Sequence, residues 1–405
     1  MNGAAEGSDF ESSDTVRLIV RHRMCAVDSA WMPPEERPSV YERGHSAGMS
    51  RTVSVIRTLF FLLIAAPAVA SEPVALLTPE TQVPPLPTLA AEPTLVAPGL
   101  DGSPVEPAIS DPASGVAAQG ISSYWMVSSR YSVQNIHQSA RGPWGLFVQE
   151  IYCNGTLRNS SIEELSRTLI PGIPVCIFVH GSFVELPNQY VEAAGFYSRV
   201  QAQSPGPIQM IFFTWPSDGP YSGCFPVDVA VRGRQADFNG FHLAYLLSNI
   251  PESCPVCFVG HSHGSRVILS GMHLAGGGTI EGHSFPYSTG PSRRIRVILA
   301  AGAMDHHWLN PGQQYECALN RVECLLNLQN RHDLALAAYP LSHLFARRAV
   351  ARSGFTQHDA RKLGYQSLKL RNCDVTHLVG SKHYWPYYYK QPSIVAAMIP
   401  YLHFQ

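Results

Sequence analysis

From about residue 121 the chain alternates between short apolar runs and longer segments with a helical stripe. Tyr124 to Ser128 and Gly145 to Glu150 read as two opening strands, and Asn154-Gly155 as a turn. Pro174 to Val179, Ile208 to Phe213, Val256 to Val259, Arg296 to Ala301 and Glu323 to Leu328 follow as further strands. The most continuous of these runs have the pattern of a strand buried on both faces, where neither side needs a polar position. Between them lie predicted helices at 161–169, 188–203, 228–248 and 265–275. Ser161 is placed to cap the first, with Glu163 and Glu164 in the turn where the helix dipole favours negative charge. Phe238, Phe241 and Tyr245 lie on one stripe of the third. Cys373 to Val379, with His377 inside it, reads as the last strand, and Pro392 to Tyr401 as the closing helix. This alternation predicts an α/β architecture: a mostly parallel central sheet with helices on both faces. In such sheets chemistry gathers at the carboxyl ends of the strands.

One strand end stands out. Val256 to Val259 leads into Gly260-His261-Ser262-His263-Gly264, and a helical segment follows. Strand, tight glycine-flanked turn and helix form the setting in which a serine is lifted above a sheet edge as a nucleophile. A serine hydroxyl is a weak nucleophile at neutral pH. It needs a base, a group to orient that base, and donors for the developing oxyanion. Ten histidines lie beyond the Gly260 to Gly264 turn, and position chooses among them. His383 falls after the last predicted strand and before the closing helix, where a base can reach back to Ser262. Asp333 follows the second strand after the elbow and is the preferred acid. Asp305, after the first, is the alternative acid. The order Ser262, Asp333, His383 is nucleophile, acid, base. For the oxyanion the candidates are the backbone N–H of His263 and one from Ser182 or Phe183, in the loop after His180-Gly181. The side chains of His261 and His263 are read as packing or pocket-lining groups. Trp385, Tyr387, Tyr388 and Tyr389 beside His383 fit equally an acyl or aryl pocket and the core under the last helix.

His180-Gly181-Ser182-Phe183, Thr214-Trp215-Pro216-Ser217, Gly260 to Gly264 and His383-Tyr384 together resemble the α/β-hydrolase superfamily. They are most similar to a bacterial branch known mainly as hydrolases of unknown function, which carries a like Trp-Pro-Ser segment and an Asn-x-x-Asp turn comparable to Asn330 to Asp333. The resemblance covers residues 121–405. It implies the α/β-hydrolase fold and a Ser-Asp-His triad, and it implies no substrate. The histidines on both sides of Ser262 depart from many relatives, which carry smaller residues after the nucleophile.

Composition narrows the setting. With 45% hydrophobic and 15% charged residues the chain can bury a sizeable core, and a net charge of −1 leaves no basic field to gather nucleic acid. Residues 49–70 carry a basic start (Arg51, Arg57), an apolar centre (Leu59 to Ala66) and an Ala-Val-Ala end, the pattern of a secretory signal peptide. Residues 1–48 are read as an over-called start ahead of Met49, the alternative being a genuine extension with an internal anchor. Residues 71–120 hold 10 prolines and no Lys or Arg, as expected of a disordered spacer before a hydrolase domain at 121–405. Eight cysteines follow the signal: Cys153, Cys176, Cys224, Cys254, Cys257, Cys317, Cys324 and Cys373. Export would favour disulfides, with Cys317–Cys324 or a bridge from Cys224 preferred. Cys254 and Cys257 have no second pair spaced for zinc, and Asp305, His306 and His307 are too close along one loop to chelate one ion.

The sequence therefore predicts an exported serine hydrolase of the carboxylesterase or lipase class. It would transfer an acyl group to water from a small-molecule ester or lipid, without organic cofactor or metal. Two alternatives use the same residues or the same fold: an acyltransferase or thioesterase, and a non-catalytic protein that binds or scaffolds at the cell envelope through the amino-terminal segment.

Overall fold

The computed structural model describes residues 122–132, 136–142, 144–218, 225–341 and 346–405. The predicted signal at 49–70, the spacer at 71–120, the stretch 1–48 and Cys224 lie outside them. One nine-stranded sheet runs through the described chain in the order β3-β2-β1-β5-β4-β6-β7-β8-β9. The strands are β1 (Ser123–Ser128), β2 (Phe147–Tyr152), β3 (Leu157–Ser160), β4 (Val175–Val179), β5 (Gln209–Thr214), β6 (Val256–His261), β7 (Ile295–Ala300), β8 (Cys324–Gln329) and β9 (Leu370–Asp374). β2 is antiparallel to both neighbours, and every other pairing is parallel. The described helices are α1 (Ile136–Arg141), α2 (Ile162–Thr168), α3 (Leu186–Gln203), α4 (Phe225–Asn249), α5 (Gly264–Ala275), α6 (Val350–Ser353), α7 (Gln357–Leu363), α8 (Thr376–Val379), α9 (Pro386–Tyr389) and α10 (Pro392–Leu402).

The all-apolar strands send alternate side chains to opposite faces, and each face has its own core. Val175, Ile177 and Val179 of β4 join α2, α4 and α5 on one side. Cys176 and Phe178 join α3, α9 and α10 on the other. Ser161 caps α2 by accepting the Glu164 amide, as its position predicted. α4 and α5 pack closely because Gly240 leaves room for Ser270, whose Oγ would sit 2.2 Å from a Cβ there. No described helix is long and apolar enough to cross a membrane.

After β4 the chain moves outward to β5, and β6 returns to pair with the other side of β4. The connections thus diverge between β4 and β6. A crevice opens at the carboxyl ends of two such strands because their following loops turn apart. The β4 loop carries His180 to Ser182, and the β6 turn carries Ser262.

Two sequence readings change. Cys373 to Val379 is not a strand: β9 ends at Asp374, and Thr376–Val379 forms the helical turn α8, with His377 exposed on it. Cys317 and Cys324 are free thiols. The Cys317 amide donates to His273 at the end of α5, whereas Cys324 interacts with Tyr401 of α10, so the two cysteines serve opposite faces of the sheet.

Candidate active site

The turn after β6 is built around a backbone that glycine-free sequence could not follow. Ser262 itself takes φ 52°, the left-handed region, and its amide donates to the Ala300 carbonyl at 3.0 Å. A Cβ on Gly264 would lie 2.2 Å from the Val179 carbonyl oxygen, and one on Gly260 would lie 2.9 Å from the Ser265 backbone. Gly264 is therefore a steric requirement of starting α5 directly against the end of β4, and Gly260 of folding α5 back over the end of β6. α5 is also pinned from the side: Arg266 in its first turn forms an ion pair with Asp237 of α4, Nη2 to Oδ2 2.6 Å.

Ser262 Oγ lies 3.0 Å from His383 Nε2, and His383 Nδ1 lies 2.8 Å from Asp333 Oδ2. Residues 71 and 121 positions from Ser262 in the chain are thus brought into one hydrogen-bonded line, since 333 − 262 = 71 and 383 − 262 = 121. Asp333 is fully buried, and its other oxygen accepts the Leu336 amide at 3.0 Å. The acid and base loops are stitched together elsewhere too. Asn330 Nδ2 donates to the Lys382 carbonyl at 3.2 Å, and the Leu334 amide donates to the Ser381 carbonyl at 3.3 Å. Asp305, the alternative acid, is placed in another cluster. Its Oδ2 accepts the Arg347 amide at 2.9 Å and stands 3.9 Å from His307 Nδ1.

The loop after β4 is shaped by His180 and the Thr-Trp-Pro-Ser segment. The Trp215 amide donates to His180 Nε2 at 3.2 Å, so that nitrogen is the acceptor, and Nδ1 donates to the Gly181 carbonyl at 2.8 Å. Trp215 Nε1 returns a bond to the His180 carbonyl at 2.9 Å. Arg130 joins this loop to the next one: it donates to the Val184 carbonyl and to Thr214 Oγ1, both at 2.7 Å, and pairs with Asp218. A Cβ on Gly181 would fall 2.9 Å from Ser262 Cβ, so the loop passes close over the serine only because Gly181 has none.

Of the two oxyanion candidates on this loop, Phe183 is excluded. Its amide donates to the Ser217 carbonyl at 2.6 Å, and its φ of 60° turns the chain away. The Ser182 and His263 amides have no acceptor among the described residues. The Ser182 hydroxyl and His263 Nδ1 share a hydrogen bond of 2.6 Å, which braces the two amide-bearing residues against each other. Burial first, and the Arg130 guanidinium second, lower His180 to about 3. Burial lowers His261 to about 3 and holds His263 well below the ordinary range. All three therefore stand neutral around the serine at neutral pH.

The aromatic run after His383 divides. Trp385, Tyr388 and Tyr389 are buried, with Trp385 stacked on Phe178 at 4.9 Å, so they are core for α3 and α10 rather than pocket wall. Tyr387 is exposed. No group of three or more His, Cys, Asp or Glu side chains among the described residues is placed to hold a metal ion. The sequence did not reveal the roles of His261, Asn330 and Arg130. Their partners include backbone carbonyls of distant loops, which leave no residue-type signature.

A nine-stranded, almost wholly parallel sheet with a strained serine turn between strand and helix at its switch point is the α/β-hydrolase fold. No protein-family model and no curated protein matches the chain. Among solved structures it is similar to the catalytic core domain of acetyl xylan esterase from Trichoderma reesei, at 14% identity over 49% of this chain and 99% of that one, TM-score 0.29. It is also similar to esterase B from Lactobacillus rhamnosis, at 11% identity over 72% and 89%, TM-score 0.33. A third is S-formylglutathione hydrolase from Staphylococcus aureus, at 9% identity over 71% and 99%, TM-score 0.32. The fold assignment stands on the strand order and the serine turn, not on these distant likenesses.

Proposed function

We propose that the chain is a serine hydrolase that transfers an acyl group from a carboxylic ester or lipid to water. The observation that carries this reading is the line Ser262 Oγ, His383 Nε2, His383 Nδ1, Asp333 Oδ2, with links of 3.0 and 2.8 Å. Ser262 Oγ attacks the ester carbonyl carbon while its proton passes to His383 Nε2. The carbonyl oxygen becomes negative and receives the amides of Ser182 and His263, donors of a kind worth about 10²–10³ in rate each. Asp333 stabilises the imidazolium and fixes its tautomer. The tetrahedral centre collapses, the C–O bond to the leaving alcohol breaks, and His383 gives that alcohol the proton. Water then attacks the acyl-serine, losing its proton to His383, and the acid departs as Ser262 recovers a proton.

Phe183, Leu334 and Tyr384 follow directly on Ser182, Asp333 and His383, and are 38%, 62% and 72% exposed. Apolar side chains at each loop tip favour an ester with an apolar acyl or alcohol part. The proposal includes export through the signal-like segment 49–70, for which sequencing of the exported chain should find a new amino terminus at Ser71. A retained Met1 would remove that part of it. For the chemistry, a fluorophosphonate probe should label the wild type, fail to label Ser262→Ala, and label His383→Ala far more slowly. A folded wild-type protein that takes no label would overturn the proposal, and an ester series of increasing acyl length would measure the apolar preference.

A further inference from the structure

β6 ends on His261, one residue before the serine, and its imidazole takes no part in the proton path described above. The ring is 5% exposed and sits between two loops of the site. On one side its Nε2 lies 2.8 Å from the main-chain carbonyl oxygen of His383. A carbonyl can only accept, so Nε2 carries the proton and donates it. On the other side the ring meets the loop after β4: a Cβ on Gly181 would lie 2.9 Å from His261 Nδ1. The rings of Trp385 and Tyr388 stand 6.0 and 6.3 Å away and close the remaining sides.

The segment it holds is tied to the acid loop only on its amino-terminal side, where the Ser381 and Lys382 carbonyls accept from Leu334 and Asn330. Ser381 and Lys382 are exposed, and Gly380 turns the chain at φ 63°. The two consecutive carbonyls of Lys382 and His383 are held by different elements, the first by Asn330 of the acid loop and the second by His261 of the serine strand. His383 must face both Ser262 and Asp333 at once, and its imidazole can do so only if its own peptide is fixed relative to both. The side-chain bonds to Ser262 and Asp333, and the Asn330 bond to the preceding carbonyl, do not fix the peptide that follows His383, and that is the one whose carbonyl His261 holds.

We propose that His261 is a positioning residue for the base: its Nε2–H holds the His383 peptide so that one imidazole setting serves nucleophile and acid together. This rests on the hydrolase reading of the site. The rival account is that His261 merely fills space beneath the aromatic cluster, and the two differ in what replaces it. His261→Phe keeps the ring and loses the donor, whereas His261→Gln loses the ring and keeps an N–H at similar reach. In the full chain, His261→Phe should lower kcat and the fluorophosphonate labelling rate by about 10- to 100-fold, the scale of a small misplacement of a catalytic group, with KM little changed. His261→Gln should recover most of the loss. Equal activity of the two variants, or a wild-type rate in His261→Phe, would overturn the inference. A measurement on the unmutated protein covers the case in which His261→Phe does not fold: histidine ¹⁵N spectra should show His261 protonated at Nε2 and not at Nδ1, and the opposite tautomer would overturn it. Ser262→Ala in the same labelling assay separates the two levels, because label retained there defeats the hydrolase reading itself.

Discussion

Asp333 shows how narrowly a single residue can be specified. It is wholly buried, yet both carboxylate oxygens are occupied, one by the Leu336 amide and one by His383 Nδ1. Both partners are donors, so the site requires an acceptor at each position. An asparagine of the same size cannot supply two. With its oxygen toward His383, its amide group meets the Leu336 N–H. Flipped, it presents donors to Nδ1 and favours the His383 tautomer whose Nε2 already bears a proton and cannot take one from Ser262. Asp333→Asn should therefore leave the fold recognisable by near-ultraviolet circular dichroism and reduce kcat by about 10⁴-fold, as expected for a triad whose histidine is held in the wrong tautomer. Activity within tenfold of wild type would mean that Asp333 is not the orienting acid.

At the scale of elements, legibility followed burial. β4, β5 and β6 are buried along their whole length, so each has an apolar run at its centre, with polar residues only at the ends of β5 and β6, and their positions could be read directly. β9 has one strand neighbour, β8, and its residues Leu-Arg-Asn-Cys-Asp are half-buried or exposed, so no apolar run marks it. The apolar residues that imitated a strand, Val375 and Val379, are the N-cap and last residue of α8 and are buried four positions apart, a helical spacing too short to recognise in one turn. The aromatic run obeys the same rule. Trp385, Tyr388 and Tyr389 are buried and Tyr387 is not, which is the pattern of one face of the turn α9. Ser262, Asp333 and His383, which the structure brings into one hydrogen-bonded line, could be picked out as candidates because the proposed chemistry asks for a particular side chain at a strand end. The braces around them could not. The Ser182–His263 bond joins side chains 81 residues apart, and His261 answers a carbonyl 122 residues away. A backbone carbonyl is the same in every residue, so the sequence carries no mark of where a brace must reach.

At the scale of the whole molecule, the buried histidines set a price on acid. His180 and His261 are lowered to about 3 and His242 to about 4, chiefly by burial, and His263 is held well below its ordinary value by the same cause. In the unfolded chain each regains a value near 6.5. Between pH 6.5 and 3 the unfolded state therefore binds protons that the folded state refuses, ν_U exceeds ν_N, and stability rises with pH across that window. It is fully present above pH 6.5 and is lost as pH falls toward the folded values. Each such histidine contributes at most about 1.4 kcal/mol per pH unit. Glu192 works in the opposite sense. Burial raises it to about 7, so the folded state holds its proton from there down to the unfolded carboxylate range, and that one group offsets about one histidine. The balance still favours proton uptake on unfolding. Urea titrations from pH 8 to pH 4 should give a stability that is nearly level above pH 7 and then falls, with about two or more protons taken up per molecule unfolded near pH 5. A stability unchanged from pH 7.5 to pH 5 would show that these rings are not held neutral. His180, His261 and His263 all lie within two residues of Ser182 or Ser262, so the proton uptake that accompanies unfolding falls on the loops proposed to carry the oxyanion amides. At pH 5 the folded protein still holds these rings neutral, so any fluorophosphonate labelling lost there through unfolding should recover on return to pH 7.5.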